Sequence, residues 1–388
     1  MKGVGLKISW RRIALLVVAG VFLLWGAKVS YSLITWKAYL WAPHYLSSLI
    51  FDQKGDGIIP DSQRHILFLM CDHYEPGFGN EGVQRNLNWL AKFRPISEKH
   101  RDSAGNRFQY TWFYAYDHKN EPVLKALAEM TRDGYGEVEL HWHHPPADNQ
   151  TFPPMLDEAI AWFQTHGLLM TSGEKPETRF AFIHGNWALD GSHARCGVTR
   201  ELEILLRRGC YADFTFSTIG TASQPRRVNS IYYAQETDEP KSYDDGIPAA
   251  GGQKISDRLL IFQGPSSISW TGDLEYGAVE SDPLPSKKRI NAWIEANIHV
   301  LGRPEWVFIK VYSHGIQSER KILDKHLSLL LSDIENVCKE RNISLHYVTA
   351  REAYNIVKAA EDGKEGNPGA YRNYKIPPPL VKAKLREK

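Results

Sequence analysis

The run from His65 to Pro76, His-Ile-Leu-Phe-Leu-Met-Cys-Asp-His-Tyr-Glu-Pro, sets the reading of the whole chain. Its first part, His65 to Cys71, is short, apolar and rich in strand-forming residues; its last part is polar and stops at Pro76. Runs of the same kind recur at Phe108 to Ala115, Glu137 to His143, Arg179 to His184, Tyr211 to Phe216, Trp306 to Tyr312 and Ser344 to Thr349. Longer amphipathic stretches lie between them: Val83 to Phe93, Glu121 to Arg132, Met155 to His166, Thr199 to Arg208, Lys287 to Val300, Glu319 to Glu340 and Ala350 to Ala360. Thr199 stands just ahead of Glu201 and Glu203, which places acids in a first helical turn where the helix dipole favours them. Strands alternating with helices predict an α/β fold with a parallel sheet.

The alternation lapses between Ser217 and Ser286, where Gly, Pro, Asp and Tyr dominate and only Arg258 to Phe262 reads as an extra strand. A segment that long without a helix of its own is more often a functional excursion than a plain connector. The tail beyond Gly363 is rich in Pro and Lys and is expected to be poorly ordered. No internal repeat is present.

With 388 residues, 43 % of them hydrophobic, the chain is long enough for one large core. An α/β barrel of roughly 250 residues would fit as a single domain. The formal charge of +2 provides no global field that would attract nucleic acid. Twelve Trp and eighteen Tyr, many in loop-like segments, suit a surface that covers the apolar faces of sugar rings.

Lys2, Lys7, Arg11 and Arg12 precede the apolar run Ile13 to Ala27, which continues past Lys28 as far as Trp36. A bilayer core of about 30 Å needs about 20 residues, so the combined stretch spans one if Lys28 snorkels. The competing reading is a cleaved signal peptide ending in Trp25-Gly26-Ala27. As an uncleaved anchor with its basic end in the cytoplasm, it makes a single-pass protein of the inner or plasma membrane, with the domain outside the cytoplasm. The expected layout is 1–12 basic N-terminus, 13–36 anchor, 37–60 connector, 61–362 main domain and 363–388 tail. Of the four cysteines, Cys196 and Cys210 could bridge a short loop in an oxidising compartment.

The chemistry-bearing residues gather where strands end. The first strand runs into Asp72-His73-Tyr74-Glu75, the third into His141-Trp142-His143-His144, the fourth into His184-Gly185-Asn186-Trp187 and the sixth into Ser313-His314. In parallel barrels the loops after the strands form the face that carries the active site, so these clusters are expected to share one pocket. His141 and His143 are two apart on a strand and project to the same side. They offer two nitrogen ligands to a divalent ion and Asp72 offers a carboxylate, with His144 or His73 as replacements. His314 suits a general acid, while Glu75 and Asp213 suit a base or a carboxylate that orients a histidine. Asn186 and Trp187, with His184, are placed to hold substrate, and Gly185 lets the backbone approach closely.

These motifs resemble those of the polysaccharide deacetylase superfamily, over roughly Arg64 to Ala359. The resemblance rests on Asp72-His73, on His141, His143 and His144-Pro145, on His184 to Asp190, on Gly209 to Asp213, and on Ser313-His314. It implies a distorted seven-stranded (β/α) barrel and a divalent metal, commonly zinc, held by Asp72 and by His141 with His143 or His144. It also implies a carboxylate base, Asp72 being either that base or the metal carboxylate, and His314 as the acid that protonates the leaving group. The family's paired aspartates are here Asp72-His73, its two histidines four apart are here crowded at 141, 143 and 144, and its Arg-Pro-Pro-Tyr segment is here His184 to Trp187.

The expected function is therefore metal-dependent removal of N- or O-acetyl groups from a cell-envelope or exported polysaccharide. A glycosidase on the same barrel, with Glu75, Asp190 and Asp213 as candidate carboxylates, is one alternative. A non-catalytic glycan-binding or assembly protein is the other.

Overall fold

In the computed structural model, which describes residues 10–51, 59–269, 273–280 and 284–383, each stretch read as a strand holds one. In chain order the strands are β1 (His65–Tyr74), β2 (Tyr110–Ala115), β3 (Gly136–Trp142), β4 (Phe180–His184), β5 (Cys210–Asp213), β6 (Ser230–Ala234), β7 (Gly246–Pro248), β8 (Leu260–Gln263), β9 (Ser266–Ile268), β10 (Leu274–Tyr276), β11 (Trp306–Ser313) and β12 (Ser344–Tyr347). Ten of them form one sheet in the order β11-β1-β2-β3-β4-β5-β8-β6-β7, with β12 also paired to β1; β9 and β10 make a separate hairpin. Every pairing from β11 to β8 is parallel, and β6 alone in this sheet is reversed, antiparallel to both β8 and β7.

This is a larger sheet than the seven strands expected. The segment 217–286 supplies the difference, since it contributes β6, β7 and β8. Among the described residues no strand pairing joins the far end of the sheet back to β11. The faces meet through side chains instead: the rings of Phe262 on β8 and Phe308 on β11 lie 6.0 Å apart. The ammonium of Lys310 on β11 donates to the carbonyl oxygens of Phe214 and Phe216.

Strand alternation divides the core in two. Leu67, Leu69 and Cys71 of β1, Phe113 of β2, Ile183 of β4 and Phe308 of β11 fall in one buried cluster, the inner face. Ile66, Phe68 and Met70, with Trp112, Leu140, Trp142 and Ile309, fall in the other, packed under helices such as Gly79–Lys99 and Glu121–Arg132. Burying each such Leu, Ile or Phe is worth about 1.5–3 kcal/mol, so this division holds the register of every strand.

The helices fall on the amphipathic stretches and differ from them at their ends, Gly79–Lys99 for example extending beyond Val83 to Phe93 on both sides. Lys287–Glu295 ends short of Val300, and Asn297, at φ 49°, turns the chain out of helical geometry. A π-helical turn at Ile322–His326 interrupts the stretch read as one helix from Glu319. The described part of the tail is held against the domain: Ile376 and Val381 are buried, and Arg372 pairs with Asp102 and Glu352. Polar composition had suggested disorder there, but buried apolar anchors and ion pairs hold it.

The apolar helix Trp10–Thr35 is about 39 Å long at 1.5 Å per residue, long and apolar enough to cross a membrane, with its Leu, Val and Phe side chains exposed. Lys2 and Lys7 lie outside the described residues. Lys28 makes a 2.9 Å ion pair with Asp273. The connector packs Ala38, Trp41 and Tyr45 against Ile219 and Val228, so it is a docked element of the domain. The four cysteines are free and buried. Cys196 and Cys210 do not bridge: the Cys210 thiol faces the carbonyl of Ala212 inside β5, while Cys196 faces His144 and Glu201.

Candidate functional site

β3 and its exit read Glu137, Glu139, His141 and His143 on one side, with Val138, Leu140 and Trp142 in the outer core on the other. The polar set therefore lines the inner face, and its two histidines reach the C-terminal mouth of the sheet. The same period along β1 carries the inner face from Leu67, Leu69 and Cys71 to His73 and Glu75. Asp72 falls on the opposite side, next to Met70 and Tyr74. On β11 the inner series is Phe308, Lys310 and then His314 just past the strand end, while Ser313 pairs with Asp72 across the ladder.

Four imidazoles and one carboxylate thus share the mouth. His141 Nε2 and His143 Nε2 lie 3.3 and 3.7 Å from the same Glu75 oxygen. The rings of His73 and His141 are 4.8 Å apart and those of His73 and His314 4.6 Å apart. Donor atoms of Glu75, His141 and His143 lie within 4.8 Å of one another, as do those of His73, Glu75 and His314. Gln317 donates to the second Glu75 oxygen at 2.5 Å.

Three of these histidines are held from behind by their other nitrogen. His141 Nδ1 is 2.9 Å from the carbonyl oxygen of Ile183, which only accepts, so Nδ1 carries the proton and Nε2 keeps its lone pair. His143 Nδ1 lies 3.2 Å from Asp117, whose carboxylate also accepts the His143 backbone N–H. His314 Nδ1 lies 2.8 Å from Glu280, which likewise accepts the His314 backbone N–H. Histidines anchored in this way to carbonyls or carboxylates present Nε2 to a metal ion or a reacting proton.

The electrostatics follow from this packing. Burial would push Glu75 up, but the imidazoles of His141, His143 and His314 around it, wherever they are protonated, outweigh it and hold the carboxyl at about 2. Burial lowers His143 and His314, but Asp117 and Glu280 more than reverse this, so both favour the imidazolium more than a free histidine does. Burial, together with the neighbouring histidines, holds His73 well down, and burial also lowers His141. The mouth therefore contains groups suited to opposite tasks: lone-pair donors and held protons.

The remaining expected residues are distributed as follows. Asp72 is not in the mouth: its Oδ1 accepts from Ser313 Oγ at 2.5 Å and from Gly315 N at 2.6 Å, and burial pushes it up to about 7 against those two bonds. Among the described residues the groups that could hold a metal ion include Glu75 and not Asp72. His144, facing outward after Trp142, packs on Trp142 and Phe152 and meets His184, away from His141 and His143. His184 is likewise outward, its Nε2 3.0 Å from that of His144, and so stands apart from the mouth. Asn186 accepts from Arg195 at 2.6 Å, and Trp187 is half-buried beside it. Asp213 is buried inside the sheet, bonded to Thr215, and Asp190 is buried against Ser242. Asp117 and Glu280 were not anticipated. Asp117 lies in the loop after β2 and Glu280 in the segment before the helix Lys287–Glu295, and neither carries a local motif. A cavity of about 910 Å³ bordered by Trp36, Tyr45, Tyr276 and Arg289 lies apart from the mouth histidines.

Comparison with known protein families finds no family model that matches the chain, and comparison with curated proteins finds no match.

Proposed function

We propose that the chain is a metal-dependent hydrolase that removes acetyl groups from a cell-envelope or exported polysaccharide, acting outside the cytoplasm from a membrane tether. The observation that carries this reading is the convergence of His73, Glu75, His141, His143 and His314 at the C-terminal ends of parallel strands. That is the face on which α/β sheets place their chemistry. The motif resemblance, with the distorted seven-stranded (β/α) barrel that it implies, favours the same reading.

The donor set fits a divalent ion. The Nε2 atoms of His141 and His143 and an ionised carboxylate oxygen converge from one side, a bound ion would displace the proton that Asp117 favours on His143, and two of the three donors are oriented by hydrogen bonds from behind. His141, His143 and Glu75 would hold the ion, zinc by the resemblance. A divalent ion there supplies Lewis acidity towards a carbonyl oxygen and towards water. His314 then moves the proton: Glu280 stabilises its imidazolium, so Nε2 accepts a proton from the attacking water and delivers it to the leaving atom. His73, kept neutral between His141 and His314, separates the two roles. Phe78, 68 % exposed and lying against His118 next to Asp117, supplies a ring at the rim on which a pyranose can stack.

Glycosidic cleavage needs two carboxylates flanking the bond. Glu75 is committed to His141 and Gln317, Asp117 and Glu280 to histidines, and Asp190 and Asp213 are buried, so that reading gains no support from the geometry. The test is acetate release from acetylated glycans by the full chain in detergent, with bound metal measured alongside. His141→Ala should lose one equivalent of metal and its turnover. His314→Ala should keep the metal and lose about 10²–10⁴-fold in turnover. Unchanged metal content and activity in His141→Ala, or reducing ends released without acetate, would overturn the reading.

A further inference from the structure

Behind the mouth, between the sheet and the helix Glu201–Arg207, four donors meet in a buried space: His144 after β3, His184 at the end of β4, Cys196 from the loop that follows, and Glu201 in the first turn of the helix. We propose that these four residues form a second, closed metal site for a thiolate-accepting divalent ion of the zinc class, structural in role and separate from the mouth.

Hydrogen bonding sets the tautomers. His144 Nδ1 is 2.8 Å from the carbonyl of Pro145 and His184 Nδ1 is 2.6 Å from the carbonyl of Gly185. Carbonyl oxygens only accept, so both Nδ1 atoms carry protons and both Nε2 atoms present lone pairs. Those two Nε2 atoms lie 3.0 Å apart. Glu201 Oε1 sits 3.4 Å from one and 3.6 Å from the other, and this fully buried oxygen has no hydrogen-bond partner among the described residues. Facing lone pairs beside a buried anionic oxygen repel unless a cation lies between them.

The spacing suits such a cation. Tetrahedral zinc, with bonds of about 2.0–2.1 Å to nitrogen or oxygen and about 2.3 Å to sulfur, sets its ligands about 3.3–3.6 Å apart. Here Cys196 Sγ is 3.8 Å from His144 Nε2 and 3.6 Å from Glu201 Oε2, the oxygen beside Oε1, while the separations among His144 Nε2, His184 Nε2 and Glu201 Oε1 run from 3.0 to 3.6 Å. The surroundings are those of a ligand set: Val198 N–H points at Cys196 Sγ at 3.3 Å, Asp190 N–H holds the other Glu201 oxygen at 2.7 Å, and both histidines are anchored to carbonyls. Charge balances as well. One divalent ion, one thiolate, one carboxylate and two neutral imidazoles sum to zero, which a buried site requires. The Cys196 S–H proton leaves to solvent on binding.

With four protein donors the site has no open position, which marks a structural centre. It fastens the stretch from Asp190 to Arg200, which contains no helix or strand, to the ends of β3 and β4. His144 follows His143 and His184 precedes Gly185, so the same ion braces the backbone of the mouth.

The test uses Co²⁺ as probe in the full chain, expressed in zinc-depleted, cobalt-supplemented medium. The closed site contains sulfur, whereas none of the mouth donors does. A thiolate-to-cobalt charge-transfer band in the near ultraviolet with tetrahedral visible bands is expected, at two metal equivalents per chain. Cys196→Ser should abolish the charge-transfer band and keep the mouth ion; His141→Ala should keep the band and lose one equivalent. If Cys196→Ser does not fold, the wild-type spectrum decides alone. Folded wild-type protein with no thiolate band, its buried histidines sharing a proton instead, overturns the proposal. One equivalent with the band supports this site and sinks the metal reading of the mouth.

Discussion

A β-carbon on Gly185 would lie 2.3 Å from Cδ2 of His143 and 2.7 Å from its Cα, so the turn after β4 presses directly on this mouth histidine. The backbone atom is part of the contact, and the imidazole cannot relieve it by rotating. Gly185→Ala should displace His143 from Glu75 and cost about 1–3 kcal/mol of stability through overpacking. Chemical denaturation and metal titration check this together. An unchanged midpoint with unchanged metal affinity would show that the turn does not constrain His143.

Asp72 tests the placement of the carboxylate ligand. Its Oδ1 accepts from Ser313 and Gly315 on the outward side of β1, while Glu75 stands among the histidines. Asp72→Asn keeps an acceptor at that position and should leave metal content as in the wild type, whereas Glu75→Gln should weaken metal binding at least tenfold. Asp72→Ala leaves two buried donors unpaired and should destabilise the fold by about 1–3 kcal/mol without removing the ion. Loss of metal in Asp72→Asn would return the ligand role to Asp72.

Far from the mouth, His346 on β12 supplies a pH dependence of stability. Its Nε2 lies 2.9 Å from His65 Nδ1. Burial, followed by the nearby charges of His65 and Arg372, holds it down to about 4, against 6.5 for a free histidine. Between those values the unfolded chain binds a proton that the folded chain refuses, so stability is full above about pH 6.5 and declines as pH falls towards 4. His346→Gln, neutral throughout, should remove on the order of 2 kcal/mol of acid sensitivity between pH 7 and pH 4. Urea midpoints at the two pH values measure it; parallel losses in both proteins would discount His346.

Much of this architecture is legible in the sequence because periodicity reports which residues share a face. Along β3 the alternation of Glu137, Glu139, His141 and His143 with Val138, Leu140 and Trp142 separates polar from apolar, so the shared side of the two histidines can be read directly. The strand and helix order, the gathering of polar residues at strand ends and the membrane-length apolar helix are local in the same sense.

Which face turns inward is not local. β1 is apolar on both sides from Ile66 to Cys71, so nothing in its pattern says whether Asp72 or His73 enters the mouth; the helices packed over Ile66, Phe68 and Met70 decide it. The same packing sends His144 and His184 outward and brings Cys196 and Glu201 to them from a loop and a helix turn that carry no motif. The anchoring of His143 by Asp117 and of His314 by Glu280 joins segments 26 and 34 residues apart. The sequence by itself determined the order of strands and helices and the residue types at their ends. Only the tertiary structure sorted those residues into the cluster at the mouth and the cluster behind it, because face and partner depend on what packs against each strand and not on the strand's own residues.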